Sequence, residues 1–356
     1  MTEPAPTGPE TALIVGISGP SSSGKTTLAR LLQRIFNGVR LAPSSGDTTA
    51  TDSSTLTTFI IHEDDFYYPD DQIPYTTTPS GKTVQDWDTA AAIDTAFLAQ
   101  ALSYVRAHGH LPPRLESKED QNEAGASGVP DTVVDSLRSE VQRRLAASTG
   151  ADRRTIAFME GFLLYSAPGT STSDSGTGTG TGSGEGSAST QSPDPHYPSS
   201  PLALRPVHAQ IQLPLFLPAP YSTVKARREG RNGYVTIGPA PEPPSDVVPG
   251  TGDEGKEARE VDLEQEDDRP PQNFWTDPPG YVDDIVWPRY VRDHAWLLVG
   301  GEADGVSGDD IVARVGEGVD VRTDVGVKVA PGRGAVGMEV VLRWAVEEVL
   351  GAYLAW

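Results

Sequence analysis

The stretch LIVGISGPSSSGKTTLARLLQRIF, residues 13–36, decides the reading of the chain. Its first five residues, Leu13 to Ile17, form a short apolar run of the kind a buried strand makes. Its last ten, Thr27 to Phe36, place Leu28, Leu31, Leu32 and Ile35 at intervals of three, four and seven, which predicts an amphipathic helix. Between them, Gly19-Pro20-Ser21-Ser22-Ser23-Gly24-Lys25-Thr26 fits the phosphate-loop pattern G-x-x-x-x-G-K-[ST]. The chemistry requires these residue types. Glycines let main-chain N–H groups turn inward around phosphate oxygens. The helix that follows points its positive end at the same anion. Lys25 supplies a charge to the β- and γ-phosphates, and the Thr26 hydroxyl is a hard oxygen ligand suited to Mg²⁺.

Outward from this unit, short apolar runs alternate with helical patterns. Phe59–His62, Ile156–Met159 and Ile211–Leu217 read as strands, and Val319–Val329 as containing a last one. Asp88–Arg106, Ser136–Ala147, Tyr221–Glu229, Val291–Leu298 and Met338–Leu354 read as helices. This alternation predicts an α/β fold with a five-stranded parallel sheet covered by helices on both faces. Ligands of such sheets bind beyond the carboxyl ends of the strands.

The chain has 356 residues, of which 37% are hydrophobic, while 37 Gly and 31 Pro signal unpacked segments. Gly169–Thr190 is nearly pure Gly, Ser and Thr, a composition that predicts disorder. The expected organisation is a flexible residue 1–10 segment and a single domain over 11–356, with inserts at 42–58, 112–135, 167–200 and 240–272. The net charge is -22, which argues against nucleic acid or an anionic membrane as partner. Eight of those negative charges fall between Glu242 and Arg269, where eleven acidic residues meet three basic ones. The absence of Cys rules out a disulfide framework and thiolate chemistry. No apolar run approaches the roughly 18 residues that span a bilayer, and Met1–Glu10 lacks the features of a secretion signal. The expected compartment is the cytosol, with the nucleus left open.

Four further segments carry chemistry. In His62-Glu63-Asp64-Asp65-Phe66-Tyr67-Tyr68, a carboxylate at a strand end beside a γ-phosphate can accept a proton from an attacking hydroxyl. Adjacent Asp side chains diverge, so only one of the two is expected to face the phosphate. In Phe158-Met159-Glu160-Gly161, the acid at a buried strand end suits a Mg²⁺ ligand, and Gly161 would permit close backbone approach. Arg227, Arg228 and Arg231 form a basic cluster in an acidic chain, suited to closing over phosphates or, alternatively, to a solvated helix face. Gln85-Asp86-Trp87-Asp88 has two readings. Trp87 could stack on a flat ring while an acid holds sugar hydroxyls, or Asp86 or Asp88 could cap the next helix with Trp87 as packing. The six histidines show no metal-ligand spacing.

With these residues in place, GISGPSSSGKTTLARLL, HEDDFYYPDDQI, QDWD, FMEGFLLYS, PYSTVKARREGRNGY and PPGYVDDIVWPRYV resemble, in order, the blocks of nicotinamide riboside kinases, in the uridine kinase branch of P-loop kinases. The resemblance implies a P-loop NTPase fold with a small lid. It also implies ATP- and Mg²⁺-dependent phosphorylation of the ribose 5′-hydroxyl of nicotinamide riboside. By position it makes Asp64 the base, with Lys25 and Arg231 beside it in catalysis. Gly19, Ser21, Ser22, Ser23, Gly24, Lys25, Thr26, Thr27 and Arg227 would surround the nucleotide. Thr26 and Glu160 would hold the metal. Tyr67, Trp87, Asp88, Arg228 and Tyr234 would join Asp64 around the riboside, with Asp88 and Arg228 on its ribose hydroxyls and Trp87 and Tyr234 on its ring. The pyridinium is cationic, which suits aromatic faces and carboxylates. A uridine or cytidine kinase is the nearest alternative, and a non-catalytic nucleotide-binding regulator the more distant one.

Overall fold

A computed structural model describes residues 10–41, 55–115, 117, 126–147, 155–168, 203–231, 233–237, 272–297, 322 and 324–356. The expected flexibility of residues 1–9, the disorder of Gly169–Thr190, and most of the four inserts lie outside these residues.

Strand β1 (Ala12–Ser18) is buried at every position, the signature of a strand covered on both sides. It runs into α1 (Lys25–Phe36) through the Gly19–Gly24 loop. Strands β2 (Thr57–His62), β5 (Thr155–Gly161), β6 (Leu213–Phe216) and β9 (Lys328–Val329) complete a sheet of order β2-β5-β1-β6-β9, with every pairing parallel. The period of two along each strand divides the core. Leu13, Val15, Ile17, Ile156 and Phe158 pack on α1, α3 (Asp131–Ala146) and α7 (Met338–Ala355). Ala12, Ile14, Ala157 and Met159 pack on α2 (Thr95–His108), the short α4 (Arg205–His208) and α6 (Trp287–His294).

Two small antiparallel pairs flank the sheet. One joins β3 (Tyr75–Thr77) to β4 (Thr83–Gln85). The other joins β7 (Tyr234–Ile237), which follows α5 (Tyr221–Glu229), to β8 (Gln272–Trp275). Helix α6 is preceded by a π-helical turn, Val282–Val286.

Several boundaries differ from the periodicity reading. The helix expected from Asp88 begins at Thr95, because Asp94 caps it by accepting a hydrogen bond from Phe97 N at 2.9 Å. The chain before it is a 3₁₀ turn started by Thr89. The helix expected from Ser136 begins at Asp131, after Pro130, so the last part of the 112–135 insert is helical. The 42–58 insert likewise ends earlier, since β2 starts at Thr57. The helix placed at 291–298 lies at Trp287–His294.

Candidate active site

The loops after β1, β2 and β5 all open at one edge of the sheet, the carboxyl edge. The Gly19–Gly24 loop is shaped by contacts that exclude a side chain. A Cβ on Gly19 would run into the Leu217 carbonyl oxygen. Gly24 has φ +100°, and a Cβ there would meet Met338 Cε at 2.7 Å. Ser22 is left-handed despite its side chain, with φ +62°, the local strain such loops store. The Ser22 and Ser23 hydroxyls are buried and have no hydrogen-bond partner among the described residues. Helix α1 has no side-chain cap at Gly24, so its first N–H groups remain available to an anion. Lys25 is buried and donates to the Pro20 carbonyl at 3.0 Å. Burial lowers its pKa, opposed by the charges of Glu160 and Asp64. Ser21 and Thr27 lie on the same loop and first helical turn.

Thr26 Oγ1 donates to Glu160 Oε1 at 2.9 Å, and His62 Nδ1 meets the same oxygen at 2.8 Å. Burial would raise the Glu160 pKa, but the His62 contact and the charge of Lys25 outweigh it and hold the carboxyl low. A hydroxyl facing an ionised carboxylate is a hard-oxygen pair that fits Mg²⁺ when phosphate oxygens and water supply the other ligands. Among the described residues no cluster of three or more His, Cys, Asp or Glu stands ready for a metal.

Asp64 and Asp65 share a 3₁₀ turn, Glu63–Phe66. Asp64 opens to the cleft, whereas Asp65 is buried. Crowding by the cleft walls and then the Glu160 charge push the Asp64 pKa up to about 6, against the pull of Lys25, His62 and Arg231.

On the far side of the cleft, Asp88 and Arg228 form a two-pronged ion pair at 2.9 and 3.0 Å, with both side chains buried. Arg228 also binds Asp277 at 2.7 Å and lies over the rings of Tyr234 and Tyr281 at 5.3 and 5.6 Å. Burial raises the Asp88 pKa and Arg228 opposes the rise. Trp87 is 5% exposed. It packs on Tyr67 at 5.3 Å and Trp275 at 5.6 Å between ring centres, and its indole N–H has no partner among the described residues. The Tyr67 hydroxyl donates to the Trp87 carbonyl at 2.9 Å. Asp86 pairs with Arg289. Neither Asp86 nor Asp88 caps a helix, but the packing half of that alternative holds, since Trp87 sits in a buried cluster with Ile73 and Ala92. Arg227 reaches the Ser22 carbonyl at 3.1 Å. Arg231 lies over the Tyr234 ring at 5.3 Å, and its charge reaches Lys25 and Asp64.

Sequence reasoning missed His62, Glu63, Asp277 and Tyr281. His62 meets Glu160 because β2 and β5 pair in that register, a relation between residues 98 apart in the chain. The expected close approach to Gly161 also has a different occupant. A Cβ there would lie 2.5 Å from the Glu63 side chain.

A phosphate loop at the carboxyl edge of this sheet, faced by an acid and a metal-suited oxygen pair, defines a P-loop kinase. No family model matches the chain. Three curated fungal proteins do, each named nicotinamide riboside kinase. That of Schizosaccharomyces pombe is 26% identical over 82% of this chain and 84% of its own length. That of Eremothecium gossypii is 24% identical over 82% and 79%, and that of Saccharomyces cerevisiae 23% over 83% and 82%. Over 82–83% of its length the chain is thus similar to three nicotinamide riboside kinases.

Proposed function

We propose that the protein transfers the γ-phosphoryl group of ATP to the ribose 5′-hydroxyl of nicotinamide riboside, giving nicotinamide mononucleotide. One observation carries this reading. Tyr67, on the chain that follows the Asp64 turn, donates its hydroxyl to the Trp87 carbonyl at 2.9 Å, next to the buried Asp88–Arg228 pair, which ties the cleft acid and the ion pair into one site.

The main-chain N–H groups of residues 19–26 cradle the phosphates, with the Ser22 and Ser23 hydroxyls as further donors. Asp64 takes the proton of the 5′-hydroxyl as its oxygen bonds to the γ-phosphorus. The bond from that phosphorus to the β-γ bridging oxygen breaks, and ADP leaves with the pair. Lys25 offsets the charge on the transferred group, and Arg227 and Arg231 close from the α5 side. Thr26 and Glu160 would hold a Mg²⁺ ion, which would supply further charge neutralisation when bound. Asp88 and Arg228 hold the ribose hydroxyls, so the sugar enters a site whose two charges already satisfy each other. Trp87 and Tyr234 flank the cationic ring, and Asp88 and Asp277 add charge attraction.

In this reading residues 11–356 make one domain with surface inserts. No helix among the described residues is long and apolar enough to cross a membrane, which accords with work in the cytosol. The test is ADP release by the full chain with nicotinamide riboside, nicotinic acid riboside, uridine and cytidine. Preference for a pyridine riboside is the expected result. Preference for uridine or cytidine would replace the substrate, and ATP binding without turnover on any of them would overturn the enzyme reading.

A further inference from the structure

Glu63 is 1% exposed and plays no part in the chemistry above. Its Oε2 accepts hydrogen bonds from the N–H groups of Phe162 at 2.6 Å and Leu163 at 3.0 Å. These two amides begin the chain that leaves β5, where the ladder no longer serves them. The carboxyl fills the place of a side chain at Gly161, whose Cβ would sit 2.5 Å from Glu63 Cβ. One residue after Glu63 stands Asp64, and one residue before Gly161 stands Glu160. We propose that Glu63 is a positioning residue of the phosphoryl-transfer site: its carboxyl clamps the turn bearing Asp64 to the chain leaving the strand that bears Glu160. The proposal rests on the kinase reading of this site.

The second oxygen, Oε1, is buried with no partner among the described residues. An ionised carboxyl would leave negative charge there undonated. Burial, reinforced by Asp64 and only partly offset by the two amides and Lys25, pushes this acid up to about 8. Burial thus favours the neutral form of the clamp, in which a second negative charge is kept off the phosphate cleft. The charged groups acting on it are Asp64 on its own turn and Lys25 on α1, and the residue before it, His62 on β2, is bonded to Glu160. His294 on α6 bonds the Phe162 backbone.

Two variants of the full chain test this. Glu63→Gln keeps an oxygen able to accept both amides, whereas Glu63→Leu keeps the bulk and removes the acceptor. Glu63→Gln should hold kcat within about threefold of wild type, and Glu63→Leu should lose about a hundredfold, the usual result of slight misplacement. ATP-binding stoichiometry should be unchanged in both. A Glu63→Leu protein with wild-type kcat overturns the proposal, as does one whose kcat falls only in proportion to its ATP-binding sites.

Melting gives a readout independent of turnover. A carboxyl raised from 4.5 to about 8 stabilises the fold fully below the lower value and loses that contribution as pH rises through the higher. The melting temperature of wild type relative to Glu63→Gln should therefore fall between pH 5 and 8. A constant difference overturns the neutral clamp. A wild type that turns over no riboside would sink the kinase reading alone, while the melting comparison would still judge Glu63.

Discussion

Asp64 and Asp65 carry the same carboxyl one residue apart, and the fold gives them opposite surroundings. Only Asp64 opens to the cleft in which Lys25 and Glu160 act on it. Asp64→Asn should keep ATP binding and lose turnover by about 10²–10⁴-fold, the usual worth of a general base. A variant retaining most of its kcat would remove Asp64 from that role. The raised pKa fixes the direction of the pH profile. With the carboxyl titrating at about 6, kcat should fall as pH drops through that value and the base becomes protonated, and Asp64→Asn should lack this limb. Asp88 offers a second test. Its ion pair with Arg228 is buried on both sides, and breaking such a pair costs roughly 3–5 kcal/mol when the other charge is left alone. Here Asp277 stays on Arg228, so Asp88→Ala should lose less stability than that. It should raise the riboside KM strongly and leave the ATP KM nearly unchanged. Equal effects on both substrates would show a scaffold pair with no hold on the sugar.

The β7–β8 hairpin is the element that brings Tyr234 and Trp275 to the cleft. It is pinned through one buried carboxylate. Asp70 Oδ2 accepts from Thr236 Oγ1 at 2.8 Å and Asn273 Nδ2 at 2.7 Å, so it holds both strands. Asp70→Ala should loosen the hairpin and raise the riboside KM several-fold with the ATP KM unchanged, and Asp70→Asn, which keeps one acceptor, should restore part of the loss. An unchanged riboside KM would separate the hairpin from the substrate site. This element also marks the limit of what the chain discloses. The β1–α1 unit was legible because an apolar run, a glycine loop and a helical period are all local patterns. The hairpin was not, because its two strands are four residues each and stand on either side of a long acidic segment. Asp94 was hidden for a related reason. A capping Asp looks like any other polar residue until the helix start is known, and the apolar period carried the expected helix back to Asp88. The site followed the same division. The phosphate loop, Asp64 and Glu160 lay in local motifs, whereas His62, Asp277 and Tyr281 gain their meaning only from partners in other elements.

At the scale of the molecule, the parallel sheet gathers the ends of β1, β2 and β5 at one edge, and charge is distributed unevenly around that construction. Residues 242–269 hold eleven acidic and three basic side chains, inserted between two strands that pair with each other. Ile237 and Gln272 are register partners, so the chain ends on either side of residues 238–271 already lie side by side. A short glycine-containing turn joins antiparallel strands so placed. Replacing 238–271 with such a turn should therefore preserve the fold, kcat and the riboside KM. It should also remove a negative field that repels an anionic nucleotide. The ATP KM of the shortened protein should be lower than that of the full chain at low ionic strength. The difference should shrink near physiological salt, where the screening length is about 8 Å. Measuring KM for ATP across a salt series in both proteins decides the matter. A loss of kcat in the shortened protein would show that the acidic segment contributes to the site itself, and a salt-independent difference would show that it acts by contact with the nucleotide and not by its field.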